Sequence, residues 1–306
     1  MAATDGLVGY VLNGTYRLTR PIAPGGMGDV YEAVHVRLAS KRYAVKLLHP
    51  GLADDPELLG RFEREARIVS DLGHPNIVEV IDCNCTEEGQ PFIVMEFLEG
   101  ETLASWIQRE APLPPRPLVR VLDQAGAALQ TVHDRGIVHR DMKPDNIFLV
   151  EGDPPLVKVL DFGICKVRES RSIMTEEHVL LGTCHYMSPE QASGDHQKED
   201  HTTDIFALGV VAYEALTGQR PFTAPNVPAV VYRVLFDEPP PPSKVNPRLP
   251  YTVDPVIACA MAKDKQKRYQ RVEHFIAALG RAVGGPGPDS PNTTPAGSGM
   301  WRSSGR

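Results

Sequence analysis

Residues 139–146 read HRDMKPDN, and fifteen residues after Asn146 the tripeptide DFG begins at Asp161. Transfer of a phosphoryl group from a nucleotide needs a carboxylate near the attacking hydroxyl, oxygen ligands for Mg²⁺ and a cation near the migrating phosphate. Asp141 can supply the carboxylate and Lys143 the cation, while Asn146 and Asp161 can supply the oxygen ligands. Either short motif alone recurs by chance, but the two in this order predict a centre for phosphoryl transfer.

The composition of the chain is that of a globular protein. Of its 306 residues, 42% are hydrophobic and 23% are charged, both ordinary values. The formal net charge is −7, and no run of Lys or Arg occurs. Because a nucleic-acid-binding protein usually carries a basic face or arm, we expect no nucleic-acid partner.

The cysteines and the longest apolar run bear on the compartment. The five cysteines form neither a CxxC pair nor an even framework, which favours a reducing compartment and predicts a cytoplasmic protein. The N-terminus lacks a basic segment followed by an apolar one. The longest apolar run, residues 205–216, is shorter than the roughly 20 residues that cross a bilayer. We therefore expect no membrane span in this chain.

Hydrophobic periodicity divides the chain into two regions. Residues 16–97 contain short alternating segments typical of strands, interrupted by one helical pattern that runs from Leu58 to Leu72. Glu65 falls on the apolar stripe of that helix, where a charge needs a buried partner. After Gly100 the patterns are mainly helical. An α+β fold is predicted, with a β-rich first lobe that holds one key helix and a mainly α-helical second lobe.

The second region is predicted to contain an amphipathic helix, two short strands and a buried helix. These are residues 118–132, 148–150, 157–160 and 204–217. The last of them is apolar on nearly all sides and is followed by Gly218, as expected of a helix at the centre of this lobe. A further helix is expected near residues 272–279. From about residue 284 the chain is rich in Gly, Pro, Ser and Thr, which predicts a disordered tail or linker.

The order of these motifs across residues 16–279 resembles the bacterial, eukaryotic-like Ser/Thr protein kinases. A further matching segment reads GTCHYMSPE at residues 182–190. The resemblance implies a bilobal kinase fold and ATP-dependent phosphorylation of Ser or Thr hydroxyls on proteins. The implied boundaries are an N-terminal extension at 1–15, an N-lobe at 16–98, a C-lobe at 99–282 and a disordered Gly/Pro/Ser-rich tail or linker at 283–306.

The resemblance also implies roles for the transfer centre, with ATP and Mg²⁺ as cofactors. Asp141 would orient the substrate hydroxyl and accept its proton, and Lys143 would steady the γ-phosphate. Asn146 and Asp161 would ligate Mg²⁺.

Two further residues complete the predicted catalytic set. Lys46 and Ala44 lie on one face of an alternating strand, which should look onto the nucleotide. Lys46 would then contact the α- and β-phosphates, with Glu65 as its partner. Two unit charges about 4 Å apart interact by roughly 4 kcal/mol at an effective dielectric of 20, which desolvation can largely cancel. We therefore expect the pair to position Lys46 rather than to stabilise the fold.

A glycine-rich stretch at residues 22–30, IAPGGMGDV, should cover the ATP phosphates, because glycine lets backbone N–H groups approach phosphate oxygens. Ala23 stands where the family has a glycine, which predicts a stiffer loop entrance without loss of binding. Met95 would guard the back of the adenine pocket, and backbone groups of Glu96 and Leu98 would bind the adenine edge. The predicted pocket comprises Ile22, Ala23, Gly25, Gly26, Gly28, Val30, Ala44, Lys46, Met95, Glu96, Leu98 and Phe148.

Residues 182–190 resemble the end of a kinase activation loop. Thr183 together with Lys143 favours Ser or Thr over Tyr as the acceptor. The resemblance also implies that Glu190 pairs with Arg268 and fixes the base of the loop. Asp204 is expected to cap the buried helix that follows it, and the resemblance adds contacts to the backbone of residues 139–146.

Arg140 directly precedes Asp141, and in the family an arginine there usually needs a phosphate on the activation loop. Thr175 is the best candidate acceptor, and Glu177 falls where relatives often carry a second phosphorylatable threonine. We hypothesise autophosphorylation at Thr175, with transient homodimers if it occurs in trans. The predicted regulatory residues are Thr175, Arg140, Thr183, Glu190 and Arg268.

Two other functions compete with this one. A pseudokinase would keep the fold as a binding module without chemistry, and the replacement of a glycine by Ala23 is the feature that favours it. A small-molecule phosphotransferase of related fold typically lacks the segment at 182–190 and the partner Arg268, both of which occur here. Protein substrates are therefore the expected partners.

Overall fold

The structure, a computed structural model, describes residues 5–25, 28–49, 60, 66, 70–161 and 184–284. These residues form two lobes, a first built on a β-sheet and a second built mainly of helices. The predicted α+β, two-lobed architecture is therefore confirmed.

The first lobe is built on a six-stranded antiparallel sheet with the strand order β1-β2-β3-β4-β6-β5. Its strands are β1 Val11–Leu12, β2 Tyr16–Ala23, β3 Gly28–His35, β4 Arg42–Leu48, β5 Val80–Cys85 and β6 Pro91–Glu96. Successive side chains of β6 point to opposite faces. Val94 packs with Val45 and Tyr31 in one cluster, while Ile93 packs with Leu48 in another. The sheet therefore has apolar cores on both faces.

The second of these clusters includes part of the predicted key helix. Gly60, Ala66 and Ser70 are helical, and Ala66 is buried against the sheet. Glu65 lies outside the described residues.

The second lobe follows a short connection after β6. Its helices are α1 Leu103–Glu110, α2 Pro115–His133, α3 Pro189–Ala192, α4 His201–Thr217, α5 Val227–Phe236, α6 Pro242–Val245, α7 Val253–Ala260 and α8 Val272–Val283. A small antiparallel sheet joins β7 Gly100–Thr102, β8 Ile147–Val150 and β9 Leu156–Val159. The predicted helices at 118–132 and 272–279 correspond to α2 and α8, and the two predicted strands to β8 and β9. Among the described residues, no helix has the length and apolarity needed to cross a membrane.

Helix α4 lies at the centre of the second lobe, as predicted. All its residues after His201 are buried, because its side chains are apolar on nearly every face. It ends at Gly218, whose φ of 73° is the left-handed conformation that glycine adopts without strain. The prediction that Asp204 caps this helix is wrong. Asp200 is the cap and accepts from Thr202 N, since Asp204 lies one turn inside the helix.

Candidate active site

The buried carboxylate of Asp204 on α4 binds the backbone of the loop at residues 139–146. Asp204 Oδ2 accepts from His139 N and Oδ1 accepts from Arg140 N, both at 2.8 Å. His133 Nε2, at the end of α2, lies 2.7 Å from Asp204 Oδ2. Burial raises the pKa of Asp204, but the bonds from His133 and the backbone outweigh it and hold the pKa below its usual range. The contact to the loop backbone that the resemblance implied is therefore present.

His139 joins the loop to the strand that leads into Asp161. It is fully buried, and its Nε2 lies 2.9 Å from Leu160 O while its Nδ1 accepts from Asp141 N at 3.2 Å. The neutral tautomer with hydrogen on Nε2 satisfies both bonds. Burial lowers the pKa of His139 despite the carboxylates nearby, which favours this neutral form. Its structural role was missed because the motif itself does not show which loop residue is buried.

The side chains predicted for the transfer centre come together around Asp141. Asn146 Nδ2 donates to Asp141 O at 2.7 Å and to Asp141 Oδ2 at 3.2 Å. Lys143 Nζ lies 3.4 Å from Asp141 Oδ2. A carboxylate, an amide and an ammonium group therefore share one partly exposed cleft.

Asp161 reaches the same cleft from the end of β9. Leu160 N donates to Asn146 O at 2.9 Å, which places Asp161 next to the loop that carries Asn146. Asp161 has a φ of 45°, a left-handed conformation that costs energy in a residue with a side chain. Its Oδ2 lies 2.8 Å from Lys46 Nζ. Within the described residues Lys46 thus pairs with Asp161, and the predicted pair with Glu65 involves a residue outside them.

The donor set fits a magnesium ion held together with phosphates. Mg²⁺ in nucleotide sites is usually bound by one or two protein oxygens, phosphate oxygens and waters. The described residues contain no cluster of three or more His, Cys, Asp or Glu side chains that could cage a metal. Asp161 offers carboxylate oxygens, and Asn146 uses its Nδ2 toward Asp141, which leaves Oδ1 as its ligand atom. These two residues could therefore hold Mg²⁺.

The sheet of the first lobe forms the other wall of the cleft. In the strand pairing Val30 lies opposite Lys46, Ala44 opposite Met95, and Ala23 opposite Val30. Five residues of the predicted pocket thus lie on adjacent strands. Ile22 and Gly25 lie at the exposed end of this wall, and Gly26 is outside the described residues.

Residue 28 must be a glycine because the backbones of β3 and β4 approach each other closely there. A Cβ there would lie 2.3 Å from Leu47 O on the neighbouring strand, closer than side chains allow. The β3–β4 pairing therefore depends on this glycine, whatever it does toward phosphate.

The remaining residues of the predicted adenine pocket lie at the connection between the lobes or on β8. Met95 and Glu96 end β6, Leu98 follows in the connection, and Phe148 lies on β8; all four are half-buried. The Glu96 carboxylate lies 2.6 Å from Lys158 Nζ on β9. Nothing in the sequence pattern singles out Lys158, since an exposed lysine is common in an alternating strand.

Glu190 and Arg268 are together in the structure. Two parallel bonds of 2.7 and 2.8 Å join the guanidinium to the carboxylate, with both side chains almost fully buried. Thr203 Oγ1 also donates to Glu190 at 2.8 Å. Burial raises the pKa of Glu190, but the bonds from Arg268 outweigh it and hold the pKa below its usual range.

Arg140 contacts a second buried carboxylate. Its Nε lies 3.1 Å from Glu199 Oε2, an ionic contact that lacks the alignment of a hydrogen bond. Glu199 was not among the predicted site residues. Thr175 and Thr183, which were predicted, lie outside the described residues.

Comparison with known proteins gives consistent results. The profile of the protein kinase domain matches residues 16–276. The serine/threonine-protein kinase Pkn1 of Myxococcus xanthus is 45% identical over 279 residues, which cover 90% of this chain and 39% of the relative. The serine/threonine-protein kinase PknA of Mycobacterium tuberculosis is 40% identical over 292 residues, covering 94% of this chain and 66% of the relative. The chain thus spans less than two thirds of the length of these relatives.

The solved structures agree on the fold. The kinase domain of PknI from Mycobacterium tuberculosis matches with a TM-score of 0.70 and 27% identity. The match covers 90% of this chain and 98% of that domain. The predicted resemblance and the predicted kinase-like bilobal fold are both confirmed.

Proposed function

This chain belongs to the protein kinase domain family, and from that premise we propose that it transfers the γ-phosphoryl group of ATP to Ser or Thr hydroxyls of proteins. ATP and Mg²⁺ are the proposed cofactors. The proposal also includes an N-lobe that ends at residue 98, a C-lobe that ends at residue 282 and a tail that begins at residue 283.

One observation carries the proposal, namely that a carboxylate, a cation and two oxygen ligands meet at one end of the cleft between the lobes. Asp141 contacts both Asn146 and Lys143, and the backbone of Asn146 bonds to the residue before Asp161. Phosphoryl transfer needs these four groups.

The residues can be assigned steps in that reaction. The Asp141 carboxylate, oriented by Asn146, accepts the proton of the substrate hydroxyl as it attacks. Lys143 stabilises negative charge on the migrating group, and Lys46 holds the remaining phosphates. When bound, Mg²⁺ neutralises charge on the phosphate oxygens. Because Asp161 pairs with Lys46, we infer that this pair loosens when phosphates and Mg²⁺ take up its charges.

Proteins, rather than small molecules, are the proposed acceptors. The segment that ends at Glu190 is anchored through Arg268, which would hold a surface for an extended peptide beside Asp141. The relatives carry Ser/Thr protein kinase in their names. A cytoplasmic location is part of the same proposal, in keeping with an odd number of cysteines that form no CxxC pair.

The test is transfer of radiolabel from γ-labelled ATP with Mg²⁺ to the protein itself and to a basic protein acceptor. Wild type should label Ser or Thr, and Asp141→Asn should lose at least about 100-fold in rate, the usual contribution of a general base. Asp153→Asn, an exposed carboxylate on the turn after β8, is the matched control and should retain full activity. Wild type that binds ATP but transfers no label would refute the proposal and support the pseudokinase alternative.

Regulation by autophosphorylation at Thr175 is a further part of the proposal. Ordering a loop from 1:99 to 99:1 takes about 5.5 kcal/mol, and each charge-assisted hydrogen bond contributes roughly 1.5–3 kcal/mol. Two or three phosphate contacts to Arg140 and a second cation would therefore suffice. A phosphopeptide map of active enzyme should show phosphate on Thr175; an unmodified Thr175 in fully active enzyme would refute this part.

Phosphorylation in trans would require transient homodimers. If it occurs, the rate of autophosphorylation per molecule should rise with protein concentration. A rate per molecule that stays constant over a wide dilution series would show that the reaction is intramolecular.

A further inference from the structure

The connection between the lobes carries a partly buried ion pair that none of the steps above uses. Glu96 is the last residue of β6, directly before the connection, and Lys158 lies on β9 in the second lobe. Lys158 Nζ is 2.6 Å from Glu96 Oε1, and the two side chains are only 12% and 25% exposed. The pair thus joins one lobe to the other at the base of the cleft.

Both partners make further bonds that fix where the pair lies. Glu96 Oε1 also accepts from Glu79 N at 2.8 Å, and Glu96 N donates to Glu79 O at 3.1 Å. Lys158 Nζ also donates to Ile77 O at 3.3 Å. A carboxylate with two donors and an ammonium with two acceptors form a small network, unlike a loose pair of surface charges.

The same network reaches the strand that precedes Asp161. Val78 N donates to Val159 O at 3.1 Å, and Val159 N donates to Asn76 O at 2.8 Å. Asn76 Nδ2 also donates to Val157 O at 2.8 Å. Residues 76–79 are therefore bonded to β9 on one side and to Glu96 on the other.

A second charged contact to the connection is much more exposed. Arg42 Nη1 lies 2.6 Å from Glu99 Oε1, with side chains 40% and 65% exposed, and its guanidinium lies over the Phe97 ring. Exposed pairs contribute little because water screens them. Lys158 should therefore fix the position of the connection more strongly than Arg42 does.

We propose that Lys158 is a positioning residue that, through Glu96, holds the connection where its backbone binds the adenine ring of ATP. This rests on the proposed function, since it assigns the adenine to Glu96 and Leu98. Loss of the cation would leave the Glu96 carboxylate half-buried without its partner, and the residues after it would shift. Asp141 and Lys143, the groups that act on the γ-phosphate, lie on the loop at residues 139–146, whereas Lys158 lies on β9. ATP binding should therefore weaken more than the transfer step slows.

The experiment measures ATP binding with Mg²⁺ by calorimetry on the whole chain, alongside kcat and KM for ATP. Lys158→Met should raise the Kd for ATP about tenfold, while kcat changes less than about threefold. Lys158→Arg, which keeps the cation, should restore the Kd to within about twofold of wild type. Arg109→Met on α1 removes a more exposed pair with Glu101 on β7 and is the matched control, with an unchanged Kd expected.

Several outcomes would overturn the proposal. They are an unchanged Kd in Lys158→Met, a kcat that falls while the Kd stays the same, and an arginine variant no better than methionine. If Lys158→Met does not fold, Glu96→Gln keeps the shape of the side chain without its charge and should show the same rise in Kd.

The binding measurement also separates this proposal from the proposed function. Wild type that binds ATP but transfers no label would refute kinase activity while leaving the effect of Lys158 on the Kd measurable. Wild type that binds no ATP would refute both.

Discussion

Ion pairs in the second lobe and in the first lobe have the same chemistry but different surroundings. Arg268 and Glu190 are 0% and 6% exposed in their side chains, and each makes several hydrogen bonds. On the sheet of the first lobe, Glu32 joins Arg20 at 2.6 Å and Arg42 at 2.7 Å, but those arginines are 58% and 40% exposed. Both side chains of the Arg268–Glu190 pair are removed from water, whereas in the first lobe Glu32 is buried and its two arginines remain in contact with water.

This difference indicates what each lobe requires. Buried charges with full sets of partners specify one geometry, because any displacement leaves a charge unsatisfied. Exposed charges exchange partners with water at little cost. The second lobe therefore holds the segment that ends at Glu190 in one place, while the sheet of the first lobe can adjust its position.

Removing the buried cation should have the largest effect. Arg268→Met leaves Glu190 buried without its partner and should lower the free energy of unfolding by about 3–5 kcal/mol. Denaturant unfolding measures this directly. Glu190→Leu with Arg268→Met should recover much of the loss, because an apolar pair leaves no buried charge. A loss below about 1 kcal/mol in Arg268→Met alone would show that this buried pair stabilises the fold no more than an exposed pair of the first lobe does.

Weakening the bonds from Asp204 to the loop at residues 139–146 should have the next largest effect. Asp204→Asn keeps an acceptor for one backbone N–H but loses the charge shared with His133, so about 1.5–3 kcal/mol of stability should be lost. The transfer rate should fall roughly 100-fold, because the loop that carries Asp141 is displaced. Asp123→Asn, exposed on α2, is the control. Wild-type activity in Asp204→Asn would show that the loop holds itself in place.

Acid should weaken the same region through His139. Its folded pKa lies below the unfolded value of 6.5, so between the two the unfolded chain binds more protons. The contribution of His139 is full above pH 6.5 and is lost as the pH falls through the folded pKa. Its slope is at most about 1.4 kcal/mol per pH unit.

Urea unfolding between about pH 7.5 and pH 5 measures that slope. His139→Asn should have a shallower slope than wild type. Equal slopes in the two proteins would contradict a depressed pKa at His139.

The smallest effect is expected on the sheet of the first lobe. Arg20→Met should lower the free energy of unfolding by less than about 1 kcal/mol, and added salt should reduce even that. A double-mutant cycle with Glu32→Gln measures the coupling between the two side chains. A coupling above about 2 kcal/mol would show that exposed pairs also fix the geometry of this lobe.

Short-range patterns predicted the elements of the fold well. Helix α4 and its end at Gly218 follow from an apolar run and one glycine, and β8 and β9 follow from two short apolar segments. The assignment of Asp204 as a cap failed because Asp200 has the same chemistry four residues earlier. The sequence alone cannot show which of two aspartates faces the solvent-accessible turn and which faces the loop.

The sequence by itself determined the family, the order of the motifs and the identity of the groups around Asp141, because that chemistry needs particular side chains at short spacings. Only the tertiary structure decided that Asp204 bonds to His133 and that Lys158 bonds to Glu96, which are 71 and 62 residues apart. The strength of such contacts depends on burial and on which strands become neighbours. Periodicity and spacing along the chain record neither, since both are set when elements far apart in the sequence pack together.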